Sequence, residues 1–198
     1  APAMPLESVF DPTGAGDTIN LQAVYTDGAS RYNFQSLSVT NFAMYGSTGR
    51  AGAYQSIGFA GVSDAVYAPG TELQTPTSWG FRGGFNHNWD PYWSTGIYGA
   101  YAQFKYNGTG KTLICANVAP LLTAGSTCNP DFNIAQVGLV TRWTPVKNLT
   151  FSADVTYTHL DQKYAGAIAS PAIAATAKPA AVYELKDQDT VSMLFRAQ

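Results

Sequence analysis

Apolar and polar residues alternate along much of this chain with a period of two. The pattern is clearest from Phe132 to Thr158. Ala135, Val137, Leu139, Thr141 and Trp143 fall on one side, and Gln136, Gly138, Val140, Arg142 and Thr144 on the other. Pro145-Val146-Lys147-Asn148 interrupts, and the alternation resumes with Leu149, Phe151, Ala153, Val155 and Tyr157. Successive strand side chains point to opposite faces, so this stretch predicts a β-hairpin with one apolar and one polar face. Each arm has the ~11 residues that a tilted strand needs to cross a bilayer. A soluble sandwich puts such an apolar face in its core. A membrane barrel turns it toward lipid and the polar face toward water.

Similar alternation predicts strands over Asp17–Thr26, Ser78–Asn88, Tyr92–Asn107 and Thr190–Gln198. In the Tyr92–Asn107 strand, Tyr98, Ala100, Ala102, Phe104 and Tyr106 are expected on the apolar face, opposite Tyr101, Gln103 and Lys105. Arg31–Val62 is less regular and reads either as one or two strands (Tyr32–Tyr45, Tyr54–Gly61) or as one long surface loop. Long loops are predicted at about 62–77, 108–131 and 161–189, with short turns at 89–91 and 145–148. Short turns on one rim and long loops on the other are the layout of an outer-membrane barrel. Aromatic residues at the strand ends (Trp79, Trp89, Tyr92, Trp93, Tyr106, Phe132, Trp143 and Tyr157) read as its two interfacial girdles. The fold class expected is all-β: a transmembrane antiparallel up-and-down barrel, with a secreted sandwich as the competing class.

Composition sharpens the choice. Charged residues make up 12% of the 198, about half the usual share, whereas aromatics reach 13%. No apolar run approaches a membrane helix. A net charge of −2 offers no basic footprint for nucleic acid. Cys115 and Cys128 lie 13 apart; in an oxidising compartment they would close a loop worth about 3 kcal/mol, and two thiols are too few for a metal site. Ala1–Pro5 carries no signal peptide, so a mature chain or a fragment is expected.

Catalytic chemistry finds little support. His87 and His159 have no nucleophile motif around them, and Asp187 and Asp189 read as solvated loop charges rather than a calcium site. No cofactor is expected. Asn107-Gly108-Thr109 and Asn148-Leu149-Thr150 match the glycosylation pattern without further support. Polar strand positions are the useful signal. Arg82, Lys105, Arg142 and Asp154, with Gln103 and Gln136, are assigned to a water-facing wall, because Arg or Lys at mid-bilayer costs ~2–4 kcal/mol. Counting from the 145–148 turn places Arg142 opposite Thr150 and Asp154 opposite Gly138. The three cations would form a positive stripe favouring anions. Gly96, Ala100 and Ala102 are candidate small-residue contacts between subunits.

GFRGGFNHNWDPYWSTGIYGAYAQFKYN (80–107), CNPDFNIAQVGLVTRWTPVKNLTFSADVTYTHLDQKY (128–164) and the closing DTVSMLFRAQ resemble the C-terminal half of alphaproteobacterial general porins of the rhizobial and brucella type. The resemblance is close over about 78–164 and looser over 17–77. It implies a 16-stranded, homotrimeric barrel in the bacterial outer membrane, in contact with its lipid and lipopolysaccharide. It further implies passive passage of small hydrophilic solutes and ions, and a surface-loop cysteine pair matching Cys115 and Cys128. This chain departs in length, with seven or eight expected strands and no expected counterpart of the inward-folded loop that narrows such pores. It also ends on Gln198 rather than an aromatic residue, so further residues are expected at both ends. If eight strands were the whole protein, they would close a barrel filled by side chains, with an anchoring or adhesive role instead.

Overall fold

A computed structural model describes residues 16–34, 41–172 and 177–198. The alternating segments become one antiparallel sheet of six strands: β1 (Thr18–Asp27), β4 (Thr77–Asn88), β5 (Trp93–Lys105), β6 (Phe132–Val146), β7 (Leu149–Gln162) and β10 (Gln188–Ala197), side by side in that order. The fold is all-β, and among the described residues no helix is long and apolar enough to cross a membrane. Among the described residues β1 pairs only with β4 and β10 only with β7, so the sheet is open at both edges.

The register gives each face a consistent character. One face carries Leu21, Phe81, Phe85, Ile97, Val137, Leu139, Val155, Met193 and Phe195 in facing rows. Among the described residues nothing covers it: Phe81 is 55% and Met193 61% exposed. An apolar patch spanning six strands is a surface for lipid or protein rather than for water. The opposite face carries Asn20, Gln22, Arg82, Gln136, Asp154, Thr156, Thr158 and Ser192.

Two short connections lie at one rim. At 89–92 the Asp90 carboxylate accepts hydrogen bonds from the backbone N–H groups of Tyr92 (2.7 Å) and Trp93 (2.9 Å). The other is the two-residue Lys147-Asn148 turn, where Asn148 takes φ 66°, a left-handed conformation that Asn tolerates better than most residues. Strand β6 runs past Pro145 through a bulge between Trp143 and Val146, which suits a residue with no N–H to give the ladder. The turn is thus tighter than the spacing suggested. Arg142 faces Ser152 rather than Thr150, and Asp154 faces Val140 rather than Gly138.

Three long connections, 28–76, 106–131 and 163–187, lie at the other rim and are not plain loops. The first holds α1 (Arg31–Phe34), β2 (Asn41–Gly46) and β3 (Gln55–Gly61); the second holds α2 (Gly108–Val118); the third holds β8 (Gly166–Ser170) and β9 (Ala181–Leu185). Strands β2, β3, β9 and β8 form a second sheet in that order, with β3 and β9 parallel. Because β1 and β4 are direct neighbours, 28–76 is one long insertion between adjacent strands.

That insertion folds onto the polar-patterned face of the main sheet. Phe34, Ala60 and Val62 pack with Phe104, Phe132 and Leu160, the last three at most 1% exposed. Phe34 meets Phe104 and Phe132 at ring-centroid distances of 5.5 and 5.7 Å. The Gln162 carboxamide acts as a surrogate strand partner, donating to the Ile57 carbonyl (2.9 Å) and accepting from the Phe59 N–H (3.2 Å). Gly58 permits the close approach, since a Cβ there would lie 2.7 Å from Gln188 Cγ and 3.1 Å from Leu160 Cδ2. Cys115 and Cys128 form a disulfide that ties α2 to the approach of β6.

Candidate functional site

The polar-patterned face divides into two levels. Toward the long-loop rim, its rows (Thr26, Ser78, Phe104, Phe132, Gln162, then Val24, Gly80, Ala102, Ile134, Leu160) lie beneath the insertion. The next row is open and polar: Gln22, Arg82, Ala100, Gln136, Thr158 and Thr190. There the Arg82 guanidinium donates to Gln22 Oε1, and Gln136 Nε2 donates to Thr158 Oγ1 at 2.9 Å. Asn33 and Phe34 of α1 overhang Arg82, Gln22 and Gln136 and roof a cavity of about 390 Å³.

One row further on, the Tyr98 ring lies flat across β6. Its hydroxyl donates to Asp154 Oδ1 (2.6 Å) and meets Thr156 Oγ1 at 2.5 Å on β7. Only glycine at 138 allows this, since a Cβ there would lie 2.2 Å from Tyr98 Cζ. Gly138→Ala is therefore expected to lift the ring off the wall and break both hydrogen bonds. The expected cost is about 1–3 kcal/mol, with a narrower water path. A denaturation midpoint and conductance both equal to wild type would refute this reading.

Nearest the short-turn rim, Arg142 and Arg196 stand in one row on either side of Ser152, and Arg142 Nη1 donates to Asn86 Oδ1 at 3.1 Å. This face of the six strands therefore carries three arginines and one aspartate, Asp154. Arg196 was not singled out from sequence, although its alternation with Val191, Met193 and Phe195 carried the signal.

Several expected placements differ. Gln103 and Lys105 lie on the apolar-patterned face: Gln103 accepts from Trp79 Nε1 (3.1 Å) and donates to Asn133 Oδ1 (3.0 Å), and Lys105 faces Thr77. The parity of β5 is thus opposite to that predicted, because the insertion makes a dry site on the polar-patterned face. Ala102 and Phe104 are drawn inward to fill it, and polar residues stand outward at the rim. The proposed stripe accordingly loses Lys105. Gly96, Ala100 and Ala102 share Arg82's face, so they are not on the outer surface where subunits would touch. Tyr106 and Phe132 belong to the buried cluster rather than to a girdle. A segment that folds onto this face is nonetheless present, the insertion 28–76.

The other aromatic candidates lie on or beside the apolar-patterned face. Trp93 and Trp143 stack at 5.7 Å near the short turns, with Trp89 and Tyr92 exposed alongside. Trp79 meets Tyr101 at 5.4 Å toward the opposite rim. Tyr157 lies between Val137 and Val191, its hydroxyl bonded to Asp189. His87 pairs with Asp17 at 2.9 Å and His159 with Asp189 at 2.7 Å, and among the described residues neither is hydrogen-bonded to a Ser, Thr or Cys. Among the described residues no group of three or more His, Cys, Asp or Glu is placed to hold a metal ion.

Burial pushes the hydroxyls of Tyr106 and Tyr164, both beneath the insertion, above the ordinary tyrosine range; for Tyr164 the neighbouring Tyr106 and Asp131 add to the shift. Their contribution to holding the insertion is fully present below about pH 10, where the unfolded phenol titrates, and is lost as pH rises through the higher folded values. The insertion is expected to become protease-sensitive only in strong alkali, together with the delayed phenolate absorbance of these tyrosines. Ordinary phenolate titration would overturn the assignment.

One apolar-banded face, one arginine-bearing polar face and an insertion folded over the latter fit the wall of a membrane β-barrel. The family model of the porin subfamily matches residues 3–194, and the chain belongs to that family. Membership makes it an outer-membrane porin, in a family of channels rather than enzymes. No curated protein and no solved structure matches it.

Proposed function

We propose that this chain is the C-terminal half of an alphaproteobacterial general-diffusion porin, assembled as a homotrimer and passing small hydrophilic solutes and ions down their gradients. The observation that carries this reading is the face carrying Arg82, Arg142, Arg196 and Asp154, which is polar and overhung by an inserted segment, while the opposite face is apolar. Such a wall filters by width and charge. The open edges at β1 and β10 support a larger barrel, since single-chain barrels close with eight strands or more. Residues 80–107 and 128–164 support the alphaproteobacterial type.

Planar-bilayer conductance of the intact purified protein, with its mass, tests the proposal. Large steps in triplets from a protein about twice this mass are expected. Silence from a protein of this chain's 21.1 kDa would favour a small closed barrel with an anchoring role.

A further inference from the structure

The three long connections meet around a second cavity, of about 500 Å³, away from the arginine wall. Its lining includes Asn41, Phe59, Tyr67, Tyr106, Asn117 and Tyr164, and among the described residues no Asp, Glu, Lys, Arg or His contributes to it. Phe59 and Tyr164 stack at 4.5 Å to form one aromatic wall, and Tyr67 stands 72% exposed at the mouth. Tyr164 is otherwise buried, yet among the described residues its hydroxyl has no hydrogen-bond partner, while no fully buried side-chain oxygen or nitrogen lacks one. The hydroxyl therefore opens into the cavity. Asn117 uses its Nδ2 on the Leu113 carbonyl at 3.2 Å and leaves its Oδ1 to the opening. The Cys115–Cys128 disulfide and the Lys111–Asp131 ion pair hold α2 in place as the far wall.

We propose that this cavity binds a neutral saccharide of one or two rings. Its volume lies within the range of small-molecule sites. Flat aromatic walls match the apolar face of a sugar ring, and the free amide and hydroxyl groups match its hydroxyls. An uncharged lining offers a carboxylate or ammonium ion nothing in return for its lost hydration, so charged analogues are disfavoured. The cavity is formed by the connections alone, and the inference does not depend on conduction through the barrel.

The test is direct binding to the full chain in a detergent without a sugar headgroup, read by saturation-transfer NMR with methyl α-glucoside and maltose as probes. Saturable binding is expected, weakened about fivefold or more by Tyr67→Ala, by Asn117→Ala and by Tyr164→Phe, each of which removes a ring face or one hydrogen bond. Tyr67 and Asn117 are exposed, so those two variants are expected to retain the wild-type circular dichroism spectrum. Methyl glucuronide is expected to bind more weakly than the glucoside. Non-saturating signals, equal affinity in the variants, or cyclohexanol binding as tightly as the glucoside would each overturn the proposal. Because no current is measured, a negative result leaves the porin reading intact.

Discussion

Phe132→Ala is expected to release the inserted segment from the wall while leaving the six-stranded sheet paired. Phe132 is 1% exposed and stands within 6 Å, centroid to centroid, of Phe34, Phe42 and Phe104. Two of those partners, Phe34 and Phe42, belong to the connection 28–76, so the ring joins insertion to wall. Truncating a buried Phe costs about 3–5 kcal/mol, because transfer free energy is lost and the cavity collapses only in part. Strand β6 keeps its ladders to β5 and β7. The loss therefore falls on the insertion, whose polar anchors to the wall include Asn33 on Ser78 (2.8 Å), Gln188 on Ser56 (2.9 Å) and Gln162 on β3. Limited proteolysis should cut within 41–61 in the variant and not in wild type, and the assembled channel should conduct more. Unchanged protection with a lowered global melting point would show that the insertion and the sheet unfold as one unit.

Arg82→Glu is expected to shift ion selectivity from anions toward cations. Arg82 stands in the first open row below the insertion, where α1 overhangs the wall. Reversing its charge changes the potential felt by an ion about 5 Å away by two elementary charges. In water-like surroundings, with salt screening, that is about 1 kcal/mol, or about fivefold in relative permeability. The reversal potential under a salt gradient reads this directly. Arg142→Glu should act in the same direction, with less effect, because its row lies nearer the short-turn rim, away from the insertion. Lys105→Glu is the control: on the opposite face at the rim, it should leave selectivity nearly unchanged. Equal effects of Arg82→Glu and Lys105→Glu would remove the wall from the account.

Much of this was legible in the sequence, for a physical reason. Strand geometry has a period of two whatever surrounds it, so the hairpin around Lys147-Asn148, the apolar face of Val137, Leu139 and Val155, and the long and short connections can all be read from spacing. Arg82, Arg142 and Asp154 could be assigned to the polar face because charge on the other face costs too much in lipid. Where the surroundings change along a strand, the same rule fails. In β5 the residues that look lipid-facing, Ala102 and Phe104, face inward because a segment distant in sequence covers them, and Gln103 and Lys105 take the outer rim.

The sequence by itself thus determined the class of strand, the two-faced sheet and the charged residues of β4, β6 and β7. These follow from local periodicity and from the cost of placing charge in lipid. Only the tertiary structure decided the parity of β5, the bulged register that sets Arg142 against Ser152, the use of Gly138 as a bed for Tyr98, and the folding of 28–76 over the wall. Each depends on contacts between residues far apart in the chain, and alternation along one strand carries no information about what lies across it.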